Sequence, residues 1–291
     1  MTTRAPVQAV RRESVSSLNH KTLLALLPGL LVTVYFQGLP LLLILLLAAA
    51  AGLVFESLGL LLRQQKPGKQ LRNGSFLLSA LTLALLLPAG SPWWLPLVAV
   101  GLALLLFKHA FGGLGQHPFN PAMAACLMLM LAWPADWQGS DGVGQNPWLW
   151  SNLAFLVGGL YLISSRVINC SVPLSLLTSL ALLAWFSDPG AGSWHSIQAQ
   201  LLIGPVMLTA FFIATDPPSS PQTLLARLLY GLLIACLIFF GRQFSDYSQP
   251  LAMAVVLGNF VAPALDLLGR PRVYGHAAPK ALPGMEDIAG E

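Results

Sequence analysis

The sequence contains few charged residues. Only 9% of its 291 residues are Asp, Glu, Lys or Arg, whereas 56% are hydrophobic. Soluble domains carry about 25% charged residues, so most of the surface of this protein cannot face water. The shortfall argues against an ordinary soluble enzyme or binding domain and predicts an all-α integral membrane protein.

Cysteine is also scarce. Cys126, Cys170 and Cys236 lie far apart, and neither a CxxC pair nor a His/Cys cluster occurs. The chain alone therefore lacks the ligands for a zinc or iron–sulfur centre, and no metal site is predicted. The net charge of +4 is spread over loops, so nucleic acid is not an expected partner.

The N-terminus lacks the cleavage site and polar mature start of a secretory signal peptide. We therefore expect a cytoplasmic segment at residues 1–20, a transmembrane domain at 21–268 and a cytoplasmic tail at 269–291.

A membrane-crossing helix needs about 20 apolar residues. The sequence contains about ten candidate spans, several of them short, at 22–36, 40–62, 75–90, 93–110, 120–134, 148–165, 171–186, 197–214, 224–241 and 249–268.

The placement of basic residues tests this number of spans, because Lys and Arg favour cytoplasmic loops. With both termini inside, only Arg242 of the 15 basic residues falls on the outer side. The tryptophans lie near the predicted outer ends, where their rings favour the interface. Ten spans with both ends inside can divide into two inverted five-helix repeats, an arrangement that geometry allows but sequence similarity does not demonstrate.

Two irregular stretches stand out, since irregular backbone at membrane depth must be satisfied by protein or a cavity. The first is GGLGQHPFNPAM at 112–123, whose glycines permit a tight path. Asn120 occupies an N-cap position before Pro121, with free amides at the helix start that can hold an electron-rich group. A plain capping turn without a ligand is the alternative.

The second stretch is FFIATDP at 211–217, in which Thr215 and Asp216 end the eighth span at the cytoplasmic edge. The alternative for Asp216 is a structural role, either capping the ninth span or pairing with Arg227. Elsewhere, Glu56 lies within the second span, where a carboxylate is a candidate for an ion path. The alternative is a position near the inner interface, since Arg63 follows only seven residues later. Asp266 is expected in a helix-end ion pair with Arg270.

Lys108 and His109 form the end of the fourth predicted span, directly before the glycine-rich stretch. Long basic side chains near a helix end can extend to the membrane surface while their stems stay in lipid. We expect both side chains to reach the inner surface in this way.

Three motifs in order resemble those of the RnfD/NqrB family. GGLGQHPFNPAM resembles the signature GGLGxNPFNPAM, FFIATDP resembles FFIxTDP, and DLLGRPRVYGH at 266–276 resembles the ending of the family's RnfD branch. The resemblance spans roughly residues 20–276. It implies a membrane subunit of a Rnf-type complex in the bacterial inner membrane that couples electron transfer to Na⁺ or H⁺ movement. The partners would be subunits carrying iron–sulfur centres and flavins.

Family members carry FMN linked to a threonine in a D-G-x-S-x-A-T motif between the fifth and sixth spans. Asp141 and Gly142 match its start, but Gly144 replaces the serine and no threonine occurs from Ala132 to Leu177. The resemblance therefore implies that this chain has no covalent FMN acceptor.

The family also holds riboflavin non-covalently through two asparagines of the first motif. Asn120 matches one, and His117 replaces the other. The resemblance thus implies a non-covalent flavin site with His117, Asn120, Thr215 and Asp216 as candidate binding residues. Two other hypotheses about the function stay open. The chain could be a small-solute channel on the same scaffold or a non-redox structural subunit of the complex.

Covalent flavin survives denaturation, so its absence can be tested directly. We expect no fluorescent band at the mass of this chain, 31.1 kDa, in a denaturing gel of the purified protein under ultraviolet light. Flavin fluorescence on this band would contradict the expectation. A relative with an intact threonine motif serves as the positive control.

Overall fold

The computed structural model describes residues 14–88, 91–134, 147–187, 193–244 and 250–269. This part of the chain is helical and contains no β-strand. Most of the predicted terminal segments lies outside it, as do Asp141, Gly142, Gly144 and Arg270. The domain boundaries and the proposed ion pair of Asp266 with Arg270 therefore stay predictions.

The helices follow the apolar runs of the sequence. The described helices are α1 (Val15–Gln37), α2 (Leu39–Leu62), α3 (Pro67–Leu71), α4 (Ser75–Leu86), α5 (Trp94–Gly101, continued by the π-helical turns Leu102–His109), α6 (Pro121–Ala132), α7 (Pro147–Ser164), α8 (Ser171–Ser187), α9 (Ser193–Leu202), α10 (Val206–Leu208, continued by the π-helical turn Thr209–Ile213), α11 (Leu224–Phe244) and α12 (Leu251–Leu268).

Each of the ten predicted spans coincides with one of these helices or, for 197–214, with the pair α9 and α10. Within the described residues, α1, α2, α11 and α12 are long and apolar enough to cross a membrane. The pair α9 and α10 would make a fifth span. Since α4 to α8 are shorter apolar helices, ten crossings with both termini inside stay a prediction.

The eighth predicted span is broken. Its two parts, Trp194–Leu202 and Val206–Ile213, meet at an angle of 65°. Gly204 has a φ of +70°, which favours glycine, and Pro205 cannot donate a helical hydrogen bond. The fully buried Asn152 of α7 supplies partners at the break, because its Nδ2 donates to the carbonyls of Leu202 and Gly204 at 3.0 and 2.8 Å. Its Oδ1 accepts from the Met207 amide at 3.0 Å.

Helix packing follows the same order in the two halves of the chain. In the first half, α2 packs on α4 and α5, and α5 packs on α6. In the second half, α8 packs on α9 and α11, and α11 packs on α12. The halves meet through α1 with α7 and α6 with α12. This order is consistent with the predicted inverted repeat, which stays a prediction.

The helices expose large apolar side chains outward. Leu31, Leu46, Leu61 and Phe260 are between 59% and 72% exposed. Apolar surface of this extent marks contact with a membrane or with other proteins. The packing and the composition together describe a membrane protein.

The connection into α11 involves two acidic residues, Asp266 and Asp216. The carboxylate of Asp266 accepts the backbone amides of Gln222 and Thr223 at 2.9–3.0 Å, so Asp266 caps the start of α11. The structural roles considered for Asp216 are wrong, since it does not cap this helix. Arg227 donates instead to the carbonyl of Pro221 at 3.1 Å.

Candidate functional site

The glycine-rich stretch forms a tight turn between α5 and α6. Gly112, Gly113 and Gly115 all have positive φ values, of +115°, +90° and +85°, as the sequence predicted. A Cβ at Gly113 would overlap the guanidinium of Arg63, and one at Gly112 would overlap the side chain of Gln116. The positive φ values are what require glycine, because the flexible ends of the Arg63 and Gln116 side chains can move aside.

Asn120 caps α6, as predicted. Its Oδ1 accepts from the amides of Ala122 and Met123 at 3.1 and 3.3 Å, and Pro121 occupies the first turn. Its Nδ2 donates to the carbonyl of Ile213 at 3.4 Å, near the outer limit for a hydrogen bond. Asn120 thus joins the start of α6 to the end of α10.

The second stretch forms a compact turn after α10. The Thr215 hydroxyl donates back to the Phe211 carbonyl at 2.6 Å, which closes the end of the helix. The Asp216 carboxylate accepts from the Ser219 hydroxyl at 3.0 Å. It also lies 3.7 Å from Nδ1 of His117. The two irregular stretches therefore lie side by side, although Asn120 and Ile213 are 93 residues apart in the sequence.

A cavity of about 480 Å³ opens where the two stretches meet. This volume lies within the range of about 300–1,000 Å³ typical of small-molecule sites. His117, Thr215 and Asp216 contribute to its wall. The rest of the wall is mostly apolar and comes from α1, α4, the end of α7 and the α7–α8 connection, with Phe211 and Phe212 as its aromatic residues.

Asn120 lines a second, smaller cavity of about 60 Å³. This small cavity shares His117 and Asp216 with the large one and is bounded by polar groups of α4 and α5, including Ser75 and Lys108. Three of the four predicted binding residues thus face the large cavity. The fourth, Asn120, lines only the small cavity.

A buried charged cluster adjoins the small cavity. The Lys108 ammonium contacts both carboxylate oxygens of Glu56 at 2.8 Å and the Ser75 hydroxyl at 3.0 Å. Nε2 of His109 lies 3.2 Å from the same carboxylate. Glu56, Lys108 and His109 are 2%, 1% and 7% exposed. We call these three residues the buried triad.

The expectation that Lys108 and His109 reach the inner surface is wrong. A carboxylate buried among apolar helices needs a counter-charge, which the Lys108 ammonium supplies to Glu56. Lys108 loses its own hydration in this pair. Gly59 makes room for the His109 ring, since a Cβ there would overlap the imidazole. The sequence offered one signal for this pairing, namely a single acid and a single lysine each inside an apolar run.

The wall of the large cavity combines apolar side chains with a few hydrogen-bonding groups. Among the described residues that line the large cavity, Asp216 and His117 are the titratable ones, and none is Lys or Arg. A phosphate group would find no Lys or Arg among the described residues of this wall, whereas a neutral ring would find apolar contacts and a few hydrogen-bonding groups. No group of three His, Cys, Asp or Glu residues suited to a metal occurs in the described chain.

The comparisons with known proteins agree with the motifs. A sequence model of the NQR2, RnfD, RnfE family matches residues 2–146 and 138–275. The chain is 33% identical to the D subunit of the ion-translocating oxidoreductase complex of Vibrio atlanticus (strain LGP32), over 92% of this chain and 97% of the relative. It is 33% identical to the protein of the same name from Salmonella arizonae, with 87% and 92% covered. It is 32% identical to that of Sodalis glossinidius, with 91% and 96% covered.

Proposed function

The chain belongs to the NQR2, RnfD, RnfE family, and on that basis we propose that it is a membrane subunit of a Rnf-type ion-translocating oxidoreductase complex. Its relatives carry the name of one subunit of such a complex. The complex would couple electron transfer to Na⁺ or H⁺ movement across the bacterial inner membrane. This chain would act with partner subunits that hold iron–sulfur centres and flavins, and would not be catalytic alone.

The convergence of the two family motifs around one cavity is the observation that carries this proposal. The residues from the glycine-rich stretch and from the turn after α10 come from opposite halves of the chain. They meet at hydrogen-bonding distance, from Asn120 Nδ2 to the Ile213 carbonyl, and enclose a space of ligand size. A pure structural turn would be expected to pack without such a cavity.

We propose that this cavity holds a non-covalent flavin, riboflavin rather than FMN, because its described wall offers no cation to a phosphate. Phe211 and Phe212 would contact the ring system. His117, Thr215 and Asp216 would supply its hydrogen-bonding partners, and Asn120 would hold the two motifs together. The protein would orient the flavin and set its electrostatics, while the flavin supplies the redox chemistry. A covalent FMN on this chain is not part of the proposal.

Replacing His117 and Asn120 together by Leu tests the flavin site. We expect the assembled complex to lose one extractable flavin and to transfer electrons at the background rate. A single His117→Leu change would remove about 1–3 kcal/mol of hydrogen bonding, or roughly 5- to 150-fold in Kd. Flavin content after acid extraction and the rate of electron transfer to an acceptor are the measurements.

Two control variants separate binding from folding. Asn120→Ser keeps an uncharged oxygen to cap α6 and loses the donor to Ile213, so it tests that donor with the cap in place. His195→Leu changes an exposed histidine of α9 and should leave flavin content unchanged. Unaltered flavin and electron transfer in the assembled His117/Asn120 double variant would favour the non-redox structural reading. Solute uptake by the lone chain in liposomes would favour the channel reading.

We also propose that Glu56 lies on the ion path. It is the intramembrane carboxylate of α2, and its present partner is the Lys108 ammonium beside the small cavity. A cation that binds Glu56 must displace the Lys108 ammonium. His117 and Asp216 line the small cavity together with Lys108, so a change of charge on either residue would change how strongly the ammonium is held. The affinity of Glu56 for the ion would change with it. This arrangement would link the flavin site to the ion.

The Glu56→Gln change should reduce ion uptake in proteoliposomes while electron transfer in the complex continues. Because this change leaves Lys108 buried without its counter-charge, it should also destabilise the fold by about 3–5 kcal/mol. The paired change Glu56→Gln with Lys108→Met removes both charges and should recover the thermal stability without recovering ion uptake. Ion uptake at the unmodified level in that folded double variant would remove Glu56 from the path.

A further inference from the structure

Asn19 of α1 contributes to both cavities of the candidate site. Among the described residues that line them, only Asn19, His117 and Asp216 are polar and shared by the large and the small cavity. Asn19 lies outside the three family motifs and comes from the first helix of the chain. It therefore adds a third, independent segment to the place where the two cavities adjoin.

A contact with a distant part of the chain fixes the orientation of the Asn19 amide. Its Nδ2 donates to the backbone carbonyl of Asn73, on the connection between α3 and α4, at 2.9 Å. A carbonyl only accepts, so the nitrogen of the amide must face it and the oxygen must face away. Within the described chain, Oδ1 of Asn19 accepts no hydrogen bond.

The other polar groups at this place already have partners. The Asp216 carboxylate accepts from the Ser219 hydroxyl at 3.0 Å and lies 3.7 Å from Nδ1 of His117. The same His117 nitrogen lies 3.1 Å from the Phe119 carbonyl oxygen. These contacts leave the Asn19 oxygen unused, so it is an uncharged acceptor available to a ligand.

We infer that Asn19 is a further binding residue of the large cavity, whose Oδ1 accepts a hydrogen bond from the N3–H group of the flavin ring. This inference rests on the proposed flavin site. The oxidised ring has one N–H donor, N3–H, which lies between two ring carbonyls. The polar edge of the ring then faces the place where the two cavities adjoin, and the apolar edge faces the aliphatic part of the wall.

This contact makes the site selective for a ring that carries an N–H group at that edge. A buried acceptor that meets a ligand without the matching donor is left unpaired, which costs more than the loss of an ordinary hydrogen bond. A methyl group on N3 removes the donor and adds volume at the contact. 3-Methylriboflavin is therefore the matched probe, because it keeps both ring carbonyls and the ribityl chain.

The test compares the Kd of riboflavin with that of 3-methylriboflavin for the full-length chain, purified in detergent and stripped of flavin. Flavin fluorescence reports binding. The wild-type protein should bind riboflavin about tenfold or more tightly than the methylated ligand. Asn19→Ala removes the acceptor and leaves room for the methyl group. This variant should bind riboflavin roughly 5- to 150-fold more weakly than the wild type and should lose the preference between the two ligands.

Ser16→Ala is the matched control, because Asn19→Ala also removes a hydrogen bond from α1 to the connection before α4. The Ser16 hydroxyl lies 3.5 Å from the carbonyl oxygen of Arg72 on the same connection, and Ser16 lines neither cavity. The Ser16→Ala variant should keep the preference of the wild type for riboflavin.

The outcomes separate this inference from the proposed function. An equal preference for riboflavin in the wild type and in Asn19→Ala overturns the role of Asn19 and leaves the flavin site standing, because N3–H then meets another acceptor. Equal affinity of the wild type for both ligands overturns the inference even if the variant fails to fold. A wild-type chain that binds no riboflavin overturns both.

Discussion

A backbone group buried in hydrocarbon must find a partner inside the protein, and this constraint organises the structure. At three helix breaks or helix starts of this chain, an Asn or Asp side chain completes the backbone hydrogen bonds. Asn152 does so at the break before Pro205, Asn120 does so at the start of α6, and Asp266 does so at the start of α11. Each cap also fixes the position of a second element, so the breaks tie the fold together.

The candidate site results from two such breaks placed side by side. The start of α6 and the end of α10 are linked through Asn120, and the turns on either side leave a cavity that helices packed along their whole length would fill. The buried triad lies directly behind it, around Glu56 and Lys108. A redox ligand in the large cavity would then be separated from Glu56 by His117, Asp216 and the small cavity, which Lys108 also lines.

The sequence allowed the helices, the glycine turn and the cap at Asn120 to be predicted, since these depend on local apolar runs and short-range backbone chemistry. It could not show the contacts between distant segments. Lys108 was expected at the membrane surface because a basic residue near a helix end usually extends there, and its pairing with Glu56 depends on packing between α2 and α5. The hydrogen bonds from Asp266 to the start of α11 and from Asn152 to the break in the eighth span likewise join residues more than 40 positions apart in the sequence.

The central claim is that a flavin occupies the space between the two irregular stretches. A density map of the assembled complex, purified without added flavin, tests it most directly. The account predicts flat density of the size of a flavin ring between His117 and Thr215, without a phosphate and without a covalent link to this chain. A cavity filled by protein side chains or by a lipid tail, in a map that shows the flavins of the partner subunits, would contradict it.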